Sequence, residues 1–492
     1  MSAQPEKVLD PVLINKIRRA RVYDVAERSA VTAAPRLSER LGMTVLLKRE
    51  DQQSVFSFKL RGAYNRLANL DAATRNRGVI AASAGNHAQG VALAADKLGC
   101  PATIVMPETT PAIKVDAVRA LGATVLLHGD TYDDACARAE ALADEASLTF
   151  IHPFDDDLVI AGQGTVGREI AEQCPAVPDV VFMPVGGGGL AAGAAAYIKH
   201  VSPRTRVYGV EPADSPSMQA ALDAGEPVTL DRVGSFADGV AVRRVGRRTF
   251  ELCERYLDGM LHVTTDQMCA AIKDIFNETR VVTEAAGAIA VAGLKAWRAQ
   301  HPEFDGAGLA IVSGANMNFD RLVHVSERAD IGENREALFA VEIDETRGSF
   351  LKFCEALGDR AVTEFNYRYA GTQRARIFVG VGLSRGREEK QEILAAMRAP
   401  GYRCVDLSDN DLAKNHVRHT VGGYRGDVAN ERLLRFEFPE RAGALAQFLK
   451  AVGITWNISL FHYRNHGSDY GRVLCGIQVP DQALAEFNAH LD

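Results

Sequence analysis

Three loops in this sequence hold residues whose types and spacing could carry chemistry: Ser83-Ala84-Gly85-Asn86-His87, Gly186-Gly187-Gly188-Gly189-Leu190 and Ser313-Gly314-Ala315-Asn316. Each follows a short apolar run with the character of a strand. Four consecutive glycines lose much conformational freedom on folding, and they expose backbone amides with no side chains in the way. With Leu190-Ala191-Ala192-Gly193-Ala194 behind them, they suit a phosphate held by peptide N–H groups at a helix N-terminus. A flexible turn is the plainer alternative. The loop also satisfies G-x-G-x-x-A through Gly186, Gly188 and Ala191, with Glu211 about 20 residues on, where a dinucleotide site wants an acidic group. Taken alone, it does not separate a nicotinamide dinucleotide from a simpler phosphate ester.

Lys59 narrows the choice. It lies in Ser54-Val55-Phe56-Ser57-Phe58-Lys59-Leu60-Arg61-Gly62, an apolar and aromatic setting for a lysine. Burial disfavours the charged ammonium, and a neutral amine is what Schiff-base chemistry needs. An isolated lysine on a helix is ordinarily solvated, so only its company gives it a role. His87 could relay protons or simply pack its loop. Glu284, in Thr283-Glu284-Ala285-Ala286-Gly287, reads from sequence as a helix N-terminal carboxylate. His462 and His466 fall beside a predicted strand, which argues against a metal site. Arg243, Arg244, Arg247 and Arg248 read as a solvated face in an acidic protein.

The elements that position these residues repeat one rhythm from about 44 to 313: a short apolar run, a turn cluster, then an alanine-rich helical stretch. The runs lie at 45–47, 79–81, 103–106, 125–127, 180–182, 207–210 and 309–312. Continuous rather than alternating, they fit strands buried on both faces of parallel sheets, with helices on both sides. In open parallel sheets, loops after the strands gather where ligands bind. A charged stretch at 326–336 reads as a linker. Beyond it the sequence repeats itself. Residues 338–343 answer 433–438, Phe353 answers Phe448, Phe365-Asn366-Tyr367-Arg368 answers Phe461-His462-Tyr463-Arg464, and Gly380 answers Gly476. Each copy reads strand, helix, strand, strand, helix. The first adds a strand at 402–407, and the second is expected to lack it, since the sequence stops at Asp492.

The 492 residues imply two or three domains. A composition of 47% hydrophobic and 24% charged residues is that of a globular protein, and a net charge of −7 gives no case for nucleic acid or an anionic membrane. The eight cysteines form no Cys-x-x-Cys pair, which points to reduced thiols in a cytosol-like compartment. No stretch resembles a signal peptide or a membrane span. The expected location is cytoplasmic.

Lys48-Arg49-Glu50-Asp51, Ser57-Phe58-Lys59-Leu60-Arg61-Gly62-Ala63, Ser83-Ala84-Gly85-Asn86-His87-Ala88-Gln89-Gly90, the four-glycine loop and Ser313-Gly314-Ala315-Asn316 occur in an order that resembles the serine/threonine dehydratase family of fold-type II pyridoxal-phosphate enzymes. The tail, with Phe365 to Tyr369 and Asn457 to Arg464, is similar to the paired ACT-like regulatory modules of biosynthetic threonine deaminases. The resemblance spans nearly the whole chain. It implies an α/β catalytic domain at 1–325 with open, mostly parallel sheets, a linker at 326–336, and α+β ACT-like modules at 337–412 and 432–492. It further implies that Lys59 carries pyridoxal phosphate, with Phe58 beside it. Asn86 would bond the ring hydroxyl, Gly186 to Leu190 would take the phosphate, and Ser313 would meet the ring nitrogen. A neutral hydroxyl there does not keep the ring protonated, which favours prompt β-elimination over transamination. Ser83, Ala84, Gly85, Asn86 and His87 would hold the substrate carboxylate. Glu284 would face the site. The implied reaction deaminates L-threonine, and possible substrates extend to L-serine. Isoleucine or valine would act as effectors near Tyr367 and Tyr463, in a homotetramer. No metal is implied. A dinucleotide dehydrogenase leaves Lys59, the Ser83 loop and Ser313 without work, and a non-catalytic amino-acid sensor leaves the whole cofactor set unused.

Overall fold

A computed structural model describes residues 9–344, 353, 356–358, 360–366, 374–417, 429–439, 456–464 and 470–491. The chain separates into two compact units, Met1–Val325 and Ser326–Asp492.

Among the described residues, the first unit holds two sheets. One contains β1 (Val31–Ala33), β2 (Thr44–Arg49), β7 (Val180–Pro184), β8 (Arg206–Pro212), β9 (Gly259–Val263) and β10 (Ala307–Val312), in the order β1-β2-β10-β7-β8-β9. Only the β1–β2 pairing is antiparallel. The other sheet runs β5-β4-β3-β6 and is parallel throughout, from β3 (Val79–Ala82), β4 (Ala102–Met106), β5 (Thr124–Leu127) and β6 (Thr149–Phe150). Every residue of β3 and β7 is buried, as continuous apolar runs require in a sheet covered on both faces. The run at 125–127 departs from that expectation. It forms an edge strand with Leu126 and Leu127 exposed, because nothing pairs with its outer side within the unit. The main core fills the space between the first sheet and the helices Pro11–Arg18, Asp157–Gln173, Gly189–Val201 and Arg247–Tyr256.

The second unit contains the repeat. β11 (Glu336–Asp344), β12 (Val362–Asn366), β13 (Arg374–Gly382) and β14 (Arg403–Asp406) form an antiparallel sheet in the order β12-β13-β11-β14. β15 (Glu431–Pro439), β16 (Asn457–Arg464) and β17 (Tyr470–Gln478) form a second, in the order β15-β17-β16. The two share a register. Leu338 faces Gly380 in one, and Leu433 faces Gly476 in the other. On the far side each glycine faces the residue just past a bulge, Glu364 in one and Leu460 in the other. The helix Gly386–Arg398 follows the first sheet's β13, and Leu484–Leu491 follows β17. Among the described residues the second sheet has three strands to the first sheet's four.

The charged stretch at 326–336, expected as a linker, is largely helical. Arg321–Gly332 is helical and β11 begins at Glu336. Val325 and Ala329, one turn apart, are buried with Ile331, and Arg328 is buried against Asp411 and Asn415. The apolar spacing is present but hidden among charges that pair. Tyr367 lies outside the described residues, as do the side chain of Tyr463 and residue His466.

Candidate active site

The three loops leave the carboxyl ends of β3, β7 and β10, and side-chain and backbone bonds tie them together. Asn316 Nδ2 donates to Asn86 Oδ1 at 2.7 Å, joining the third loop to the first. Phe58 N donates to Ser313 O at 3.3 Å and Ala315 N to Phe56 O at 2.9 Å, which seats the start of helix Lys59–Ala68 against the β10 loop. Phe56 takes a left-handed φ of 56° to make this approach. A short turn completes the ring. Lys59 Nζ donates to Pro153 O at 3.2 Å, and the next residue, Phe154, packs its ring on Gly187. A Cβ at Gly187 would lie 2.1 Å from that ring, and Gly188 has φ +92°, so neither position accepts a side chain without strain.

Helices beginning at Lys59, Asn86, Gly189 and Ala285 all lack a side-chain cap. At Asn86, Gly189 and Ala285 the first-turn amides are therefore available to an anion, whereas in the Lys59 helix Gly62 N donates to Gln163 Oε1 at 3.2 Å. The glycine loop is braced from behind. Thr249 Oγ1 donates to Gly187 O at 2.6 Å, while the Asp155 carboxylate accepts from the amides of Arg247, Arg248 and Thr249. Ser313 is buried, its hydroxyl 3.2 Å from Ala286 O and able to rotate to another partner. Ser57, two residues before Lys59, has a buried hydroxyl with no hydrogen-bond partner among the described residues.

Burial pushes the Lys59 amine down to about 8, against the opposing pull of the Glu284 carboxylate. Its ammonium stands 5.4 Å from the Phe58 ring centroid. Burial, then the Lys59 charge, pushes His87 down to about 3. The His87 ring is buried with Nε2 2.9 Å from Ile151 O, so it packs the loop rather than relaying protons. What His87 offers a ligand is its backbone.

Glu211 accepts from the amides of Met218 and Gln219 at 2.7 and 3.1 Å and is fully buried. It caps the helix Ser217–Ala224, so the carboxylate that a dinucleotide's ribose would need is already taken. What remains fits a phosphorylated aldehyde: a desolvated amine, a cradle that side chains would fill, and uncapped helix starts. A family model described as pyridoxal-phosphate dependent enzyme matches residues 23–314. The chain belongs to that family.

Pyridoxal phosphate is therefore the cofactor of this chain. A second family model, the C-terminal regulatory domain of threonine dehydratase, matches residues 327–417 and 424–492. The chain is 54% identical to a biosynthetic L-threonine dehydratase IlvA of Burkholderia multivorans, covering 97% of this chain and 95% of that protein. It is likewise 54% identical to the IlvA of Escherichia coli, covering 95% of this chain and 91% of the relative. Among solved structures it resembles the processed form of threonine deaminase isoform 2 from Solanum lycopersicum, with TM-score 0.65 and 49% identity over 67% of this chain and 91% of that one.

Sequence reasoning missed what sits behind this pyridoxal-phosphate site. Arg61, two residues after Lys59, donates to both oxygens of Glu50 and both of Glu169, and to Thr165 Oγ1. Lys48 Nζ lies 2.6 Å from Glu169 Oε2, and all four charged side chains are fully buried. The Lys48 to Asp51 motif thus anchors the Lys59 helix rather than meeting a ligand. Glu169 sits in the helix Asp157–Gln173, where its sequence neighbours give no sign of a buried partner.

Glu284 is buried and faces the site. Its Oε1 accepts from Asn86 Nδ2 at 2.6 Å. Burial, then the Asp238 carboxylate, pushes it up to about 7. The arginines expected on a solvated face are exposed or half-buried and pair with surface acids, Arg243 with Asp133 and Arg248 with Asp10 and Asp157.

Proposed function

We propose that the chain deaminates L-threonine to 2-oxobutanoate and ammonia, the first step of isoleucine biosynthesis, and that its C-terminal unit exerts feedback control. The observation that carries this reading is the Lys59 amine, lowered to about 8 where loops from both sheets meet. Its match to IlvA relatives along nearly the whole chain supports the choice of substrate.

Lys59, Phe58, Asn86, Gly186, Gly187, Gly188, Gly189, Leu190 and Ser313 hold the cofactor in this reading. The uncapped amides at Gly188 to Leu190 take its phosphate, Asn86 its ring oxygen, and Ser313 its ring nitrogen. When bound, pyridoxal phosphate supplies an electron sink conjugated to the substrate α-carbon. The loop Ser83, Ala84, Gly85, Asn86 and His87 binds the substrate carboxylate at the uncapped start of helix Asn86–Leu98 through the amides of Ala84, Asn86 and His87, since Ser83 N donates to Val105 O and Gly85 N to Ser83 Oγ. The Lys59 amine takes the α-proton as general base, its lowered affinity for protons placing it near working pH. The β-hydroxyl leaves as water on taking the proton that Lys59 removed from the α-carbon. The released enamine takes up one water and loses ammonia, so threonine becomes 2-oxobutanoate and ammonia with no net change in water.

The catalytic part is assigned to 1–325 and two ACT-like modules to 337–412 and 432–492. Isoleucine is the proposed feedback effector, with valine as the alternative, and Tyr367 and Tyr463 as contacts. The working form is a cytoplasmic homotetramer. The shared Leu338–Gly380 and Leu433–Gly476 registers support paired modules. Measuring 2-oxobutanoate production from threonine with and without isoleucine tests both halves. Isoleucine should depress the rate. Unchanged activity at saturating isoleucine removes the regulatory reading and leaves the catalytic one.

A further inference from the structure

Glu284 stands where a helix cap belongs but does not cap. It occupies the N-cap position of helix Ala285–Gln300 with extended backbone, and no amide of that helix donates to its side chain. A carboxylate there would ordinarily accept from the first turn. Its Oε1 accepts from Asn86 Nδ2 instead, at 2.6 Å. Asn86 Oδ1 in turn accepts from Asn316 Nδ2 at 2.7 Å, and Asn316 Nδ2 also donates to Val55 O at 2.8 Å.

These bonds run in one direction. Asn316 spends its N–H groups on Val55 and Asn86, and Asn86 spends its oxygen on Asn316 and one N–H on Glu284. One Asn86 N–H is left over. Turning the Asn86 carboxamide over would set its oxygen against the carboxyl oxygen and its N–H against Asn316's donors. Glu284 and Asn316 together therefore allow one orientation. The fold keeps room for it, since a Cβ at Gly314 would lie 2.5 Å from Glu284 Oε1.

We propose that Glu284 is a positioning residue for the cofactor, holding the Asn86 carboxamide so that its remaining N–H is presented to the bound ring. The proposal rests on the reading of Asn86 as a cofactor contact. The charged groups facing Glu284 are Asp238, Lys114, Arg321 and Lys59. Burial and then Asp238 raise it to about 7, with the Asn86 bond, Lys114 and Arg321 opposing. Against its own burial, Lys114 and Arg321 hold Asp238 down at about 2. Glu284 thus changes charge near neutral pH beside a group that touches the cofactor, and the cofactor's absorption reports the change.

The test compares Glu284→Gln and Glu284→Leu in the full-length holoenzyme, each alone and with Asn86→Ala. The readouts are cofactor affinity by absorbance titration, the visible spectrum against pH, and the melting temperature. Loss of one hydrogen bond to a charged acceptor predicts cofactor binding roughly tenfold weaker or more in Glu284→Leu. Glu284→Gln, whose Oε1 still accepts from Asn86, restores most of the affinity and abolishes the spectral titration near pH 7. With Asn86→Ala already present, Glu284→Leu adds nothing.

An equal loss from Glu284→Leu in both backgrounds overturns the proposal, because the residue then supports the fold and not Asn86. Unchanged cofactor affinity in Asn86→Ala removes the reading of Asn86 and the proposal with it. If Glu284→Leu does not fold, the pH-dependent spectrum of Glu284→Gln decides, and a titration near pH 7 that survives the substitution overturns the proposal.

Discussion

Arg61 meets Glu50 through two hydrogen bonds, Nε to Oε2 at 2.8 Å and Nη2 to Oε1 at 2.9 Å, with both side chains fully buried. The pair holds the first turn of the helix that begins at Lys59. Lys48, Arg61, Glu50 and Glu169 balance as two cations and two anions, so replacing one partner leaves one buried charge unbalanced in the network, which costs about 3–5 kcal/mol. Glu50→Gln and Arg61→Met should each lose about that much in denaturant unfolding. A loss below about 1 kcal/mol, the range of exposed pairs, would mean the network is wet.

The same pair sets an acid limit. Against its burial, Arg61 and Lys48 hold the Glu50 carboxyl below its ordinary value of 4.5. A carboxyl depressed in the folded state contributes stability that is full above the unfolded value and is lost as pH falls through the folded one. Unfolding free energy should therefore fall more steeply with acid below 4.5 in the native sequence than in Glu50→Gln. Parallel curves for the two would contradict this assignment.

Lys59 should behave as an amine of about 8 rather than 10.5. Only the neutral form attacks an aldehyde, so capture of pyridoxal phosphate by the apoprotein should accelerate with pH through a midpoint near 8. Stopped-flow absorbance between acid and alkaline buffers measures it. A midpoint at the ordinary lysine value would show that solvent reaches the amine freely.

Gly187→Ala should loosen the cofactor. The added methyl would lie 2.1 Å from the Phe154 ring, whose neighbour Pro153 accepts from Lys59. Overpacking of this kind costs about 1–3 kcal/mol, and here the strain falls on the turn between the amine and the phosphate cradle. Dialysis followed by the visible spectrum should show faster cofactor loss, partly restored by Phe154→Leu. Native retention in Gly187→Ala would contradict the tight Phe154 contact.

Much of the architecture is legible because buried parallel strands write themselves as continuous apolar runs. All seven runs read from sequence fall within strands. What such runs do not encode is position in the sheet, so β5 reads as a strand buried on both faces although it is an exposed edge. β6 is two residues long and β1 three, too short for any periodicity to show. The tandem repeat is legible because Leu338 and Leu433, Gly380 and Gly476 keep their order and, to within one residue, their spacing, and they keep the same register.

The site is legible where chemistry needs unusual backbone, as in four glycines, and less so where it needs an ordinary side chain in an unusual place. Glu169 looks like a surface acid on an amphipathic helix until Lys48 and Arg61 converge on it. Glu284 looks like a cap from its neighbours alone, and only the Asn86 contact shows otherwise. At 325–336 the charges mask the one-turn spacing of Val325 and Ala329, so the sequence does not disclose that the stretch is largely helical.

The central claim is that the Lys59 amine does the chemistry on threonine. The most direct measurement is 2-oxobutanoate formed from L-threonine by the pyridoxal-phosphate-loaded native protein and by Lys59→Ala, with the visible absorption of each recorded. The native protein should form 2-oxobutanoate, and Lys59→Ala should lose both the native absorption band and turnover. Turnover retained in Lys59→Ala, or none from threonine in the loaded native protein, would contradict the account.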